Sequence, residues 1–172
     1  MKRKLILLIP LFIFLVIISF GIGVLIKEDK NILTKIDARE EVFMPAFSLP
    51  ELNNPNGTFS NEDLKGQYSL INVFASWCFN CAAENDFLMK ISSGEIGGGK
   101  IKIYGVAWRD INKNTTKYLT KHGNPYVKIG VDGKGVFSKL LAVNGTPESF
   151  LIDPEGRIIT YFKGAIDEDF FR

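Results

Sequence analysis

Cys78 and Cys81 are the only cysteines in the chain, and they stand where one kind of sequence gives way to another. Before them, Leu70-Ile71-Asn72-Val73-Phe74-Ala75 is an apolar, β-rich run with the length and composition of a buried strand. After them, Ala82 to Met89 reads as a helix. Phe79, Leu88 and Met89, with Ala82 and Ala83 between, suggest a single apolar face on it. A strand that enters a helix across a Cys-x-x-Cys pair needs a sheet beside the strand and a second layer against the helix. That is an α/β architecture.

The placement has a chemical consequence. Unpaired backbone N–H groups and the positive end of the helix dipole gather at a helix N-terminus. An anion is stabilised there, so the thiolate of Cys78 is favoured over its thiol. Cys81, one turn further in, lies on the same side, within disulfide reach and better covered. The pair then acts as nucleophile and resolving thiol, cycling between dithiol and disulfide through a mixed disulfide with a partner. Other uses of the pair fit less well. A structural staple over so short a separation closes a very small loop and restrains the unfolded chain little. A zinc site takes about four ligands, and His122 is the one histidine available to join the two cysteines. Covalent haem attachment needs His directly after the second cysteine, and residue 82 is Ala. The expectation is a redox disulfide with no metal and no cofactor.

Met1-Lys2-Arg3-Lys4 is basic, and Leu5 to Ile26 holds no charged residue over 22 positions. Crossing a bilayer core takes about 20 apolar residues. A cleaved signal peptide has a shorter apolar region, about 7–15 residues, ending in small residues of the Ala-x-Ala kind. This run is longer and ends Gly21-Ile22-Gly23-Val24-Leu25-Ile26-Lys27. We read a cytoplasmic basic segment over 1–4, an uncleaved transmembrane signal anchor over 5–26, a polar tether over 27–42 and one globular domain over 43–172. Basic residues before the span send that domain outside, into an oxidising compartment where a lone Cys-x-x-Cys stays oxidised unless something reduces it. The chain has 21 Lys/Arg and 19 Asp/Glu; residues 1–26 take three of the basic ones and no acids, which leaves the exported part at net −1. No nucleic-acid footprint or polybasic membrane patch is present.

Along the domain, an extended segment opens near Phe43–Pro50. Asn53-Asn54-Pro55-Asn56-Gly57 reads as a turn, Thr58-Phe59 as a short strand, and Ser60 as the cap of one helical turn before Gly66. After the central helix, Ser92–Lys100 is a loop. Its Gly97-Gly98-Gly99 lacks the flanking elements and the Lys-Ser/Thr ending of a phosphate loop. Strands follow at 101–108 and 127–131 and helices at 111–122, with Asn112 as cap, and at 136–143. His122 is a helix-end residue. Ser149–Ile152 and Arg157–Lys163 form a hairpin about Asp153-Pro154-Glu155-Gly156. The order of alternating elements ending in a hairpin predicts a mixed sheet with helices on both faces.

Trp77-Cys78-x-x-Cys81 after a buried strand, with Thr146-Pro147 before a later one, resembles the thioredoxin fold. Closer in, the chain resembles the CcmG/DsbE family of membrane-anchored thiol:disulfide oxidoreductases of bacterial cytochrome c maturation. The residues that carry this are Phe47-Ser48-Leu49-Pro50, Leu70 through Cys78, Cys81-Ala82-Ala83-Glu84, Gly123-Asn124-Pro125-Tyr126 and Gly145-Thr146-Pro147-Glu148-Ser149-Phe150-Leu151-Ile152-Asp153. The resemblance runs from about residue 43 to 166 and implies a catalytic domain in the periplasm, anchored in the inner membrane. It implies a cis bond before Pro147, with Trp77, Thr146 and Pro147 forming the substrate-binding surface. Thioredoxins proper have a buried Asp where this chain has Asn72. An amide cannot take a proton, so proton handling for Cys81 is expected from Glu84 or Glu148. The implied partners are an apocytochrome c with its oxidised Cys-x-x-Cys-His, or a maturation thiol protein, and a transmembrane thiol reductase as electron donor. A general exported thiol–disulfide exchanger, or a binding module or metallochaperone without turnover, are the rival readings. Two departures stand out. Phe79-Asn80 separates the cysteines where relatives commonly carry a proline, and the tail after Gly164 leaves little room for a closing helix.

Overall fold

The strand leading to Cys78 lies inside a seven-stranded sheet, flanked by a strand on either side. The computed structural model describes Phe14 and residues 41–168. The basic segment 1–4, the expected anchor over 5–26, nearly all of the tether and the residues after 168 lie outside the described residues. Among those described, no helix is long and apolar enough to cross a membrane.

The strands are β1 (Ser48–Glu51), β2 (Asn54–Ser60), β3 (Tyr68–Phe74), β4 (Ile101–Trp108), β5 (Lys128–Asp132), β6 (Glu148–Ile152) and β7 (Ile158–Lys163). Their order across the sheet is β2-β1-β5-β4-β3-β6-β7. β3, β4 and β5 run parallel, and all other pairings are antiparallel. Helices α1 (Phe79–Ser93) and α2 (Asn112–His122) make the two crossovers that a parallel trio requires, and the short α3 (Val136–Leu140) precedes β6. This is the mixed α/β sheet that the order of elements predicts.

Alternation along the strands divides the core in two. Leu70, Phe74, Ile103, Ala107 and Ile129 face α1 and α2, packing with Leu88, Ile91, Tyr118 and Leu119. Ile71, Val73, Tyr104, Val106 and Phe150 face the other way, toward Phe137 of α3 and toward Phe59 and Leu64. β3 is buried on both sides, and so it reads as a nearly unbroken apolar run. One backbone position makes room for the site. A Cβ on Gly105 would come within 2.9 Å of Phe74 and 3.0 Å of the Tyr126 ring. Without it, Tyr126 stacks on Phe74 with centroids 4.8 Å apart.

Several local expectations give way to tertiary packing. β2 begins at Asn54, inside the stretch read as a turn, because pairing with β1 supplies partners for it. Ser60 does cap a short turn, Asn61–Leu64, in a capping box with Asp63. The buried face of α1 is Cys81, Glu84, Asn85, Phe87, Leu88 and Ile91. Phe79 is 86% exposed and Met89 37%, so neither belongs to the buried face. α2 starts at Asn112, so Asn112 does not cap it; the neighbouring Asp110 carboxylate accepts from the Ile111 and Ser76 amides instead. α3 ends at Leu140, short of Val143, with Ala142 at φ 55°. Beyond Gly164, residues 165–167 have no regular secondary structure, yet Ile166 is buried in the α1 side of the core.

Candidate redox site

The segment that carries the cysteines is held before it reaches them. Asp110, just past β4, accepts the Ser76 N–H at 2.6 Å, the Ser76 hydroxyl at 2.9 Å, the Ile111 N–H at 2.8 Å and the Thr115 hydroxyl at 3.0 Å. The Cys78 N–H then donates to the Ala75 carbonyl at 3.1 Å. Cys78 is the N-cap of α1, and its Sγ accepts the Cys81 N–H at 3.1 Å. The two cysteines are joined by a disulfide with Cα atoms 5.3 Å apart. Cys78 is 8% exposed and Cys81 2%, so an incoming partner meets Cys78 first. Around it stand the exposed Trp77, whose ring lies 6.1 Å from that of Trp108, and the exposed Phe79.

One turn beyond Cys81, Glu84 is buried inside a network of polar groups. Its Oε1 accepts from Asn72 Nδ2 at 2.9 Å and its Oε2 from the Ile166 N–H at 3.0 Å. Asn72 Nδ2 also donates to Ser149 Oγ at 3.1 Å, and Asn72 Oδ1 accepts the Tyr126 hydroxyl at 2.8 Å. Burial pushes the Glu84 pKa up to about 7, against the lowering effect of the bonds from Ile166 and Asn72. A carboxyl in that range holds or releases a proton near neutrality. Burial, with Glu84 nearby, also raises the Tyr118 phenol to about 12 and that of Tyr126 well above its ordinary value. Both stay protonated, as donors: Tyr126 to Asn72, and Tyr118 to the Cys81 carbonyl at 2.9 Å.

Glu148 lies on the other side of the sheet. In the β3–β6 ladder Asn72 pairs with Ser149 and Val73 with Glu148, so Ser149 shares the face of the cysteine helix and Glu148 the face of α3. Its Oε1 accepts from the amides of Asn144 and Gly145 at 3.2 and 3.1 Å, and its Oε2 from the Tyr161 hydroxyl at 3.0 Å. Glu148 thus fastens the loop before Pro147. The Thr146–Pro147 bond is cis. Because β6 is antiparallel to β3, that loop and the cysteines sit at the same end of neighbouring strands. The Pro147 carbonyl is taken by the Gly164 N–H at 2.9 Å. Among the described residues no group of His, Cys, Asp and Glu is arranged to hold a metal ion.

Comparison with known proteins agrees with this geometry. The Redoxin family profile matches residues 39–170. Thiol:disulfide interchange protein DsbE of Pseudomonas aeruginosa is 34% identical over 172 residues, covering 100% of this chain and 91% of that protein. The chain is a DsbE-type Redoxin. DsbE of Escherichia coli K12 is 36% identical over 168 residues, covering 94% of this Redoxin and 85% of the relative. A secreted Mycobacterium tuberculosis disulfide oxidoreductase, described as homologous to E. coli DsbE, superposes with a TM-score of 0.62 at 19% identity. It covers 73% of this Redoxin and 90% of the other chain, a likeness of fold. This Redoxin is a thiol:disulfide oxidoreductase whose Cys78 and Cys81 form the Cys-x-x-Cys pair.

Of the residues singled out in the sequence, Cys78, Cys81, Trp77 and the Thr146–Pro147 pair gather at one end of the sheet, with Glu84 beneath. Sequence reasoning missed Asp110, Tyr118 and Ile166, and it gave Ser149, inside the Gly-Thr-Pro-Glu-Ser motif, no role of its own. Tyr126 stood in the Gly-Asn-Pro-Tyr motif, but nothing in the sequence joined it to Asn72, 54 positions away.

Proposed function

We propose that this protein is a membrane-tethered disulfide reductase on the periplasmic side of the bacterial inner membrane. It takes electrons from a transmembrane thiol carrier and delivers them to the oxidised Cys-x-x-Cys-His of apocytochromes c, or to a dedicated maturation thiol protein. The observation that carries the chemistry is the asymmetry of the pair: Cys78, the more exposed of the two, caps a helix N-terminus, and Cys81 is buried one turn from Glu84. The substrate rests on the resemblance to the CcmG/DsbE family and on full-length similarity to DsbE proteins. The tether rests on the uncharged run over 5–26.

Reduction begins when the Cys78 thiolate attacks one sulfur of the substrate disulfide. That S–S bond breaks, its electron pair leaves on the second substrate sulfur, which takes up a proton, and Cys78 is left in a mixed disulfide. Thr146 makes no backbone hydrogen bond among the described residues, so its amide and carbonyl are available to an extended substrate strand. Cys81 passes its proton to the Glu84 carboxylate, and the resulting thiolate attacks Cys78 Sγ. The first substrate sulfur departs as a thiolate, and the Cys78–Cys81 disulfide remains. Two electrons from the carrier restore the dithiol.

The test is Cys81→Ala in membranes, which lets Cys78 attack but leaves the mixed disulfide unresolved. Apocytochromes c or their maturation partners trapped on Cys78 are the expected products. A broad mixture of exported proteins would replace this substrate with general exchange. If nothing is trapped while Cys78 stays reactive to small reagents, turnover itself is refuted.

A further inference from the structure

Beside the disulfide runs an open groove of about 360 Å³ lined by Trp77, Asn114, Lys117, Tyr118, Lys121 and His122. It belongs to the redox site by construction. Trp77 precedes Cys78 in the chain, and the Tyr118 hydroxyl is bonded to the Cys81 carbonyl. Its charge is one-sided, since the lining includes two lysines and no carboxylate. The asymmetry extends along α2, which contains no acid and carries Lys113, Lys117 and Lys121 at every fourth position of one exposed face. None of these lysines is in an ion pair among the described residues, whereas Lys65, Lys128 and Arg157 all are. The exported part as a whole has net charge −1, so this is a local excess and not a general basicity.

We infer that the groove receives an acidic segment of the partner protein, lying next to the disulfide under attack. The inference rests on the exchange reaction proposed above and names the class of substrate that reaction selects. Lys117 and Lys121 pair with carboxylates of the segment, and the exposed face of Trp77 covers its apolar atoms. Such pairs at a wet rim act mainly on encounter and orientation and fade with salt. They select among disulfides that Cys78 would otherwise attack alike.

The test uses the reduced full chain and three oxidised peptides with one Cys-x-x-Cys core, flanked by glutamates, glutamines or lysines. kcat/KM for each is read from substrate thiol release. The expected preference for the glutamate peptide over the glutamine peptide is about three- to tenfold at low salt, from two rim pairs of ordinary strength. It should shrink toward unity at about 1 M salt, where the screening length is about 3 Å. In the Lys117→Gln/Lys121→Gln double variant the same ratio should fall to about one. Using the ratio within one protein keeps any general loss of activity out of the comparison. Equal rates for glutamate and glutamine peptides, or a preference that survives in the double variant, overturns the inference. The outcome is separable from the choice of natural substrate. A glutamate preference together with trapped partners other than apocytochromes c keeps the groove and removes the maturation role, and loss of the preference with apocytochromes trapped does the reverse.

Discussion

Glu84→Gln removes a titrating group from the buried network and leaves its shape nearly unchanged. A glutamate in the unfolded chain titrates near 4.5, and burial moves Glu84 to about 7 in the fold. Each pKa unit of difference is about 1.4 kcal/mol, so at pH 8 the ionised side chain makes the fold about 3 kcal/mol less stable than a neutral one would. The folded value is the raised one. The contribution of Glu84 is therefore fully present below pH 4.5 and is lost as the pH climbs through 7. Gln cannot ionise, so its variant lacks this loss. It has a different defect: Asn72 Nδ2 and the Ile166 N–H both donate to Glu84, and an amide offers one oxygen and one NH₂ in their place. Leaving one donor unmatched costs about 1–3 kcal/mol at every pH. Urea unfolding of the oxidised wild type and the variant from pH 5 to pH 8 separates the two effects. The stability gap should move in favour of the variant by roughly 2–3 kcal/mol across that range. A gap that stays constant with pH would refute a buried carboxyl titrating near neutrality.

Two further substitutions probe neighbouring parts of the site. Asp110→Ala strips the Ser76 amide and hydroxyl, the Ile111 amide and the Thr115 hydroxyl of a common acceptor; thermal unfolding should show a loss of roughly 2–4 kcal/mol, and Cys78 should alkylate with altered rate because its approach loop is released. Glu148→Gln should cost about 1–2 kcal/mol through the Asn144, Gly145 and Tyr161 bonds, while the pH profile of thiol reactivity stays as in the wild type, since that carboxylate faces away from the cysteines. A shifted profile would restore Glu148 as a proton carrier.

The central strand, the Cys-x-x-Cys junction and the alternation of elements were legible because each is written in contiguous residues. The β3 pattern is set by burial on both faces, and the hairpin by Asp153-Pro154-Glu155-Gly156. The face of α1 was not legible. Its sequence pattern suggests Phe79 and Met89 as core, yet Glu84 and Asn85 are buried there and Phe79 is exposed. Hydrophobic periodicity assumes that polar groups go outward, and this helix turns its polar groups in because Asn72 and the Ile166 amide satisfy Glu84 across the fold. Asp110 shows the same limit. Its four hydrogen bonds join a loop after β3 to the start of α2, 34 positions later, and no local motif marks that meeting. The two acids looked alike in the sequence, and only strand pairing could tell them apart.

That pairing makes strand register part of the chemistry of the site. Ser149 and Glu148 are neighbours in the chain on opposite walls of the sheet, so sliding β6 by one residue along β3 would exchange them. A second carboxylate would then enter the chamber below Cys81, where like charges raise one another's pKa, and the cis-Pro147 loop would lose its clamp. That alignment is held at the cysteine end, where Asn72 donates to Ser149 and Glu148 accepts the Asn144 and Gly145 amides; the turn after β6, with Asp153 accepting the Glu155 and Arg157 amides, sets β7 against β6. The register of one strand pair, β6 against β3, thus decides which of two adjacent side chains faces the cysteine helix.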